Sequence, residues 1–269
     1  GVLTLAPHAT LQVADGCVSG RLDGVPWGRQ ASQLLAVTGG DKGGAGGGPA
    51  MLWLLDATQA RVERQCNVAG EPRDSLGFSA ARPLASAALP ADLPPEVVML
   101  YGAMLRSAQT AGALDAVLAL CLQQATLRVQ FGKPIAAFQA IQHQVAVLAE
   151  HVACAGVAAE AAFAGSAQAP AVLAIAAAKV CSAEAAGAAA GIAHAVHGAI
   201  GFTHAHALQH LTRRLWAWRS EFGNLAHWSQ RLGQALCAAG STALWPAVTS
   251  GRLPPAAAHP SPSPLQDPR

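Results

Sequence analysis

The stretch RVQFGKPIAAFQAIQH, Arg128 to His143, decides the fold. Upstream of it, Leu114, Val117, Leu118, Cys121, Leu122 and Leu127 mark one helix. From Phe138 onward, Phe138, Ile141, Val145 and Leu148 recur at intervals of three and four and mark another. Pro134 cannot continue the first helix but is suited to the first turn of the second. The chain therefore reverses here, with Arg128 closing one helix and Gln139 opening the next. Two readings of the reversal stand side by side. A fixed guanidinium beside the free N–H groups of a helix start makes an anion site. An ordinary helical hairpin, with Arg128 neutralising the helix C-terminus, uses the same residues.

Working outward, the chain divides into three parts. Residues 1–90 are strand-like: Leu11, Val13, Val18, Leu22 and Val25 flank a turn at Asp15-Gly16, and Leu34–Val37 and Met51–Leu55 are short apolar runs. The glycine-rich segment 39–49 between those runs reads as a flexible hairpin loop. Residues 91–240 read as four helices: one opened by Pro94-Pro95 and running to about Arg128, then 136–165, 171–197 and 205–239. Short loops between long helices predict an up-down bundle. Residues 241–269, rich in Pro, Ala and Ser toward the end, read as a disordered tail. The predicted class is α+β, a partial antiparallel β domain followed by a four-helix up-down bundle.

Composition narrows the function. Hydrophobic residues make up 52% and charged residues 12%, which points to much surface hidden in an oligomer. Residues 171–202 come nearest to a membrane span, but Lys179, Glu184, His194 and His197 interrupt them, so no span is predicted. A net charge of +2 without a basic stripe excludes an electrostatic case for nucleic acid. The six cysteines form no C-x-x-C pair and read as small buried apolar residues of a reducing cytoplasm. Gly1 in the place of Met marks either processing or a fragment. His206 and His210, i and i+4 on the last predicted helix, could suit a metal, but acidic partners are sparse and no metal site is predicted. Trp216, Trp218 and Trp228 read as core or subunit-interface residues.

RVQFGKPIAAFQAIQH resembles the acyl-CoA dehydrogenase signature R-x-x-F-G-x-P-I-x-x-F-Q-x-x-Q. A second stretch, residues 176–214, resembles that family's A-A-A-K, H-G-G-x-G-F and R-R elements in the same order. The resemblance covers roughly residues 1–236 and is strong only after residue 95. It implies FAD as cofactor, an acyl-CoA thioester as substrate, and α,β-desaturation as the reaction. A carboxylate would remove the α proton while FAD accepts a hydride from the β carbon. The bundle of a neighbouring subunit would help clamp the FAD diphosphate and adenine. On this resemblance Arg128 contacts the diphosphate region, Phe131 supplies the motif aromatic, Gln139 touches the neighbouring subunit's FAD, and Gly198 lets backbone approach the cofactor.

The departures are as informative. The family's Q-x-x-G-G reads Ala195-Val196-His197-Gly198-Ala199, so a glutamine and a glycine are lost. The residues that flank the flavin fall near Gly24 and Pro26, and Pro26 has no hydroxyl. The family's base, in an E-G-T element, corresponds to Phe222, with Glu221 one residue early. Some relatives carry the base on the long helix, at a position near Gly102. Glu221 is thus the candidate catalytic base, its alternative being an exposed charge that balances Arg219 or Arg214. Nothing corresponds to the family's helical N-terminal domain. The chain resembles subunits of heteromeric acyl-CoA dehydrogenases, including those acting on steroid side chains. The implied partner is an acyl-CoA dehydrogenase-like subunit in a homo- or hetero-oligomer. A non-catalytic structural or regulatory subunit that retains the fold is the alternative.

Overall fold

The computed structural model of the protein describes residues 1–39, 49–167 and 169–251. The segment predicted as a glycine-rich loop falls mostly outside these residues, as does the chain after 251. The first part consists of β1 (Leu3–Leu5), β2 (His8–Ala14), β3 (Cys17–Pro26), β4 (Gln33–Thr38), β5 (Met51–Asp56), β6 (Arg61–Glu63), β7 (Arg73–Ala81) and β8 (Ala85–Ala88). They form two four-stranded sheets, ordered β1-β4-β5-β8 and β2-β3-β7-β6. Leu34 and Ala36, Trp53 and Leu55, and Leu76 and Phe78 alternate inward, and with Leu22 and Val25, which flank an irregularity in β3, they meet in one core. Asp15 (φ 50°) and Gly16 (φ 71°) give the β2–β3 hairpin its left-handed turn, as the Asp-Gly pair foretold. The domain is not purely antiparallel: β1 pairs with β4 in parallel, Leu3 beside Gln33. Both strands are short, and that pairing links residues thirty positions apart, so no local signal marks it.

The second part is helical. It comprises α1 (Val97–Leu127), α2 (Gln139–Gly165), α3 (Val172–His197), α4 (Leu208–Trp218), α5 (Leu225–Ala239) and α6 (Leu244–Ser250). Helix α1, of 31 residues, is about 46 Å long at 1.5 Å per residue. Its Leu114, Val117 and Cys121 pack on Leu148, Val152 and Ala155 of α2 and on Ala185, Ala186 and Ala189 of α3. Alanines on α3 leave little side chain between the axes, so the helices come close.

Three expectations change. Pro134 is not in a helix: β9 (Val129–Gln130) and β10 (Lys133–Pro134) form a small ribbon turned by Phe131 (φ 50°) and Gly132 (φ 78°), and a 3-10 turn over Ile135–Ala137 leads into α2. The helix predicted over 205–239 is two helices. Phe222 (φ 53°) and Gly223 (φ 91°) break it, and the Asn224 side chain accepts from His227 N at 2.9 Å to cap α5. The start of the tail predicted from 241 is instead structured: Ser241–Ala243 and α6 are helical and bury Ala243 and Ala247. Pro246 is tolerated there because it lies in the first turn.

The cysteines also divide. Cys121 is buried, and burial pushes its thiol up to about 12, whereas Cys66, Cys154 and Cys237 are exposed. His206 precedes α4, which begins at Leu208, so it does not share a helix face with His210. Trp228 is fully buried, but Trp216 is half exposed. By length and composition alone, three helices, Val97–Leu127, Gln139–Gly165 and Val172–Phe202, are apolar enough to cross a membrane. Their alanines keep the mean hydropathy high despite the scattered polar residues that the sequence reading set against a span. Leu105, Leu122 and Leu127 of α1 and Val157 and Phe163 of α2 remain exposed.

Candidate functional site

The loop between α4 and α5 joins the two parts. Glu221 lies in it, largely buried, and is not the exposed partner of Arg214 or Arg219. Its Oε1 accepts from Arg73 Nε at 2.7 Å and Asn67 Nδ2 at 2.9 Å. Its Oε2 accepts from Arg73 Nη2 at 3.0 Å and Arg106 Nη2 at 2.6 Å. A carboxylate offers about four lone-pair sites, and all are taken here. Glu71 forms a second node. It accepts from Arg73 Nη2 (2.9 Å), Arg214 Nε (3.0 Å), Trp218 Nε1 (2.8 Å) and Asn67 Nδ2 (3.2 Å). Burial acts to raise the Glu71 pKa, but the donors Trp218, Asn67 and Arg214 outweigh it and hold the group below its usual value. Lys179 on α3 sits beside this cluster. Its Nζ donates to the carbonyls of Trp218 (2.7 Å) and Arg219 (3.3 Å), which end α4. Burial, reinforced by Arg106, lowers its pKa to about 7.

The two positions that the family resemblance assigns to a base meet in space. Gly102 of α1 faces the ring of Phe222, and a Cβ at 102 would lie 2.1 Å from Phe222 Cδ1. Phe222 is itself buried and separates two clefts. One, of about 230 Å³, runs between β1, Trp27 and α1 and reaches Gly102 and Arg106. The other, of about 480 Å³, is lined by Gly24, Pro26, Arg73, Trp216 and Glu221. Phe222 and Pro26 line both. The hydroxyl that would meet a flavin is absent at Pro26, so this end does not fit the reactive end of FAD.

A third cleft, of about 620 Å³, lies at the far end of the bundle, where the ends of α1 and α3 meet the β9–β10 ribbon. Arg128, which caps α1, and Gly198, which ends α3 at φ 66°, both line it. The Arg128 side chain is exposed and makes no hydrogen bond or ion pair among the described residues. A Cβ at Gly198 would meet nothing within 4 Å, so its backbone is open to approach. Gln139 is exposed at the first position of α2 but does not line the cleft, and Phe131 projects from the ribbon tip, 93% exposed. Sequence reasoning gave no role to His197. It lines the same cleft, is 6% exposed, and its Nε2 is buried with no partner among the described residues. A guanidinium without a partner among the described residues and an open backbone turn fit the diphosphate end of FAD.

A family model described as the acyl-CoA dehydrogenase C-terminal domain matches residues 97–226. The acyl-CoA dehydrogenase IpdE2 of Mycobacterium tuberculosis is 38% identical over 104 residues, 39% of this chain and 31% of that protein. Among solved structures, the ChsE4–ChsE5 complex of Mycobacterium tuberculosis superposes with a TM-score of 0.75 at 22% identity, covering 87% of this chain and 66% of that one. Butyryl-CoA dehydrogenase of Megasphaera elsdenii gives 0.74 at 18% identity, covering 88% of this chain and 63% of that one. The chain thus matches about a third of the curated relative and less than two thirds of these structural ones. Residues 97–226 thus match the acyl-CoA dehydrogenase C-terminal domain, and the described chain shares the fold of these acyl-CoA dehydrogenase-like structures.

Proposed function

We propose that this chain is a subunit of an oligomeric FAD-dependent acyl-CoA dehydrogenase, one that closes a partner subunit's cofactor site and leaves proton abstraction to that partner. The observation that carries the reading is the Gly102–Phe222 contact. Both places where the family resemblance puts a base are filled, against each other, by groups that cannot take a proton. The neighbouring carboxylate, Glu221, has its oxygens engaged by Arg73, Arg106 and Asn67. A general base must reach its proton within hydrogen-bond distance, and here the lone pairs are spent on holding the two parts of the chain together.

The other end of the chain keeps what a cofactor clamp needs. FAD, when bound, supplies the hydride acceptor. Arg128 would hold its diphosphate by charge-assisted bonds, and the Gly198 turn would admit it closely. Gln139 and Phe131, outside the cleft but exposed near it, are free to meet the same cofactor on a neighbouring subunit. The exposed apolar faces of α1 and α2 are the surfaces that another subunit would cover. One structural relative is itself a complex of two proteins, ChsE4 and ChsE5, which supports a hetero-oligomer.

The test is co-expression with candidate acyl-CoA dehydrogenase subunits. The visible spectrum of the purified material is read, with acyl-CoA-dependent reduction of an artificial acceptor. The isolated chain is expected to be inactive, and the complex yellow and active. Robust turnover by the isolated chain, lost in a folded Glu221→Gln variant, overturns the proposal.

A further inference from the structure

We propose that Cys154 of α2 and Cys181 of α3 form a redox-sensitive modification site, at which peroxide closes a disulfide across the α2–α3 hairpin. Neither cysteine lines the Arg128–Gly198 cleft, so the site stands apart from the cofactor reading.

Helices α2 and α3 are antiparallel neighbours joined by a short connection between Gly165 and Val172. They touch where they meet it: a Cβ on Gly165 would lie 3.0 Å from the Cβ of Ala171 and 4.0 Å from that of Ala174. Cys154 lies eleven residues before Gly165, and Cys181 seven after Ala174. Those intervals are about three turns and two turns, so each cysteine shares a helix face with the residue that makes the contact. At 1.5 Å per residue the two cysteines stand within about one turn of each other along the hairpin. Alanines bracket them. Ala158 packs against the cluster that holds Ala178, and Ala155 shares another with Ala185. So little side chain keeps the backbones apart here, which suits the Cα separation of about 4.4–6.8 Å that a disulfide spans.

Exposure assigns the two roles. Cys154 is exposed, whereas Cys181 is half-buried. Burial pushes the Cys181 thiol up to about 11, and Cys154 adds to the rise by its charge and by a side-chain hydrogen bond. Cys154 is therefore the thiol that meets the oxidant. Its thiolate attacks one oxygen of hydrogen peroxide. The O–O bond breaks, a sulfenic acid forms on Cys154, and the departing hydroxide takes up the thiol proton as water. The Cys181 sulfur then attacks the sulfenic sulfur. The S–S bond forms, the S–O bond breaks, and the hydroxyl leaves with the Cys181 proton as a second water. Two thiols are oxidised to one disulfide, and one peroxide is reduced to two waters.

The experiment treats the full chain with a small excess of hydrogen peroxide and blocks the remaining thiols with iodoacetamide. The unfolded protein is then digested with trypsin, without reductant, and the peptides are weighed. Cleavage after Lys179 separates the two cysteines, so a disulfide between them joins two peptides that reductant parts. The expected result is that linked pair, lighter than its two free peptides by the two hydrogens lost, with two thiols fewer open to iodoacetamide. Cys154→Ser and Cys181→Ser are each expected to abolish it, and Cys66→Ser combined with Cys237→Ser to leave it in place. The mapping of the wild-type chain stands without any variant. Recovery of Cys181 alkylated, with Cys154 alkylated or carried on to the sulfinic acid, shows that the thiols do not meet and overturns the proposal. So does Cys154 joined to a cysteine other than Cys181.

Discussion

Gly102 and Phe222 are complementary: the ring of Phe222 occupies the space where any side chain at 102 would begin, its Cδ1 only 2.1 Å from where a Cβ would stand. Phe222 reaches it from a left-handed backbone, φ 53°, which glycine adopts freely and phenylalanine does not. The strain is offset by burial of the ring beside Leu100, Ala103 and Trp228.

Gly102→Ala is therefore expected to destabilise the fold by about 1–3 kcal/mol through overpacking, although alanine is favoured over glycine within a helix by about 1 kcal/mol. Urea unfolding measures it. Adding Phe222→Leu should recover part of the loss, because the shorter side chain vacates the ring space. An unchanged midpoint for Gly102→Ala would show that the ring moves away at no cost.

Glu221→Gln should cost more, about 3–5 kcal/mol, because it leaves Arg73 and Arg106 buried with one charge fewer to answer them. Asn67→Ala, which removes a neutral donor from the same carboxylate, should cost about 1 kcal/mol. Thermal melts of the two variants rank them. The reverse order would mean that the ion pairs, not the amide, are dispensable to the junction.

Lys179 makes stability depend on pH. Its pKa in the fold is about 7, below the value of about 10.4 that a lysine has in an unfolded chain. Between those two values the unfolded chain holds a proton that the folded chain has released. The contribution to stability therefore rises with pH across that window, by up to about 1.4 kcal/mol per unit, and is at its least below pH 7. Unfolding of wild type and Lys179→Met between pH 6.5 and 9.5 isolates it. The wild-type stability minus that of the variant should climb with pH, and a flat difference would mean that the amine stays charged on the Trp218 and Arg219 carbonyls.

Arg128→Ala tests the cleft without disturbing the core, since the side chain is exposed and unpaired among the described residues. FAD retention by the assembled enzyme should weaken by about 1.5–3 kcal/mol, the range for a hydrogen bond to a charged group. Gln139→Ala should cost less. Flavin content after dialysis, with circular dichroism as the control for folding, decides between a cofactor contact and a plain helical hairpin.

The sequence by itself determined what local chemistry determines. Helical periodicity located α1, α2 and α3, the Asp15-Gly16 pair located a hairpin turn, and the RVQFGKPIAAFQAIQH motif carried the family resemblance. The break at Phe222-Gly223-Asn224 was also legible, as a glycine end followed by an asparagine cap, but the continuing apolar spacing masked it. What the tertiary structure decided depends on partners distant in the chain. Arg73 and Asn67 stand 148 and 154 positions from Glu221, so its change from candidate base to junction could not be read from its neighbours Ser220 and Phe222. The parallel pairing of β1 with β4 and the packing of Phe222 on Gly102 are of the same kind. That Nε2 of His197 has no partner among the described residues is visible only once the Ala193 carbonyl has claimed the other ring nitrogen and the fold has closed around it. A side chain's surroundings, unlike its helical phase, are set by which distant segments the core brings against it.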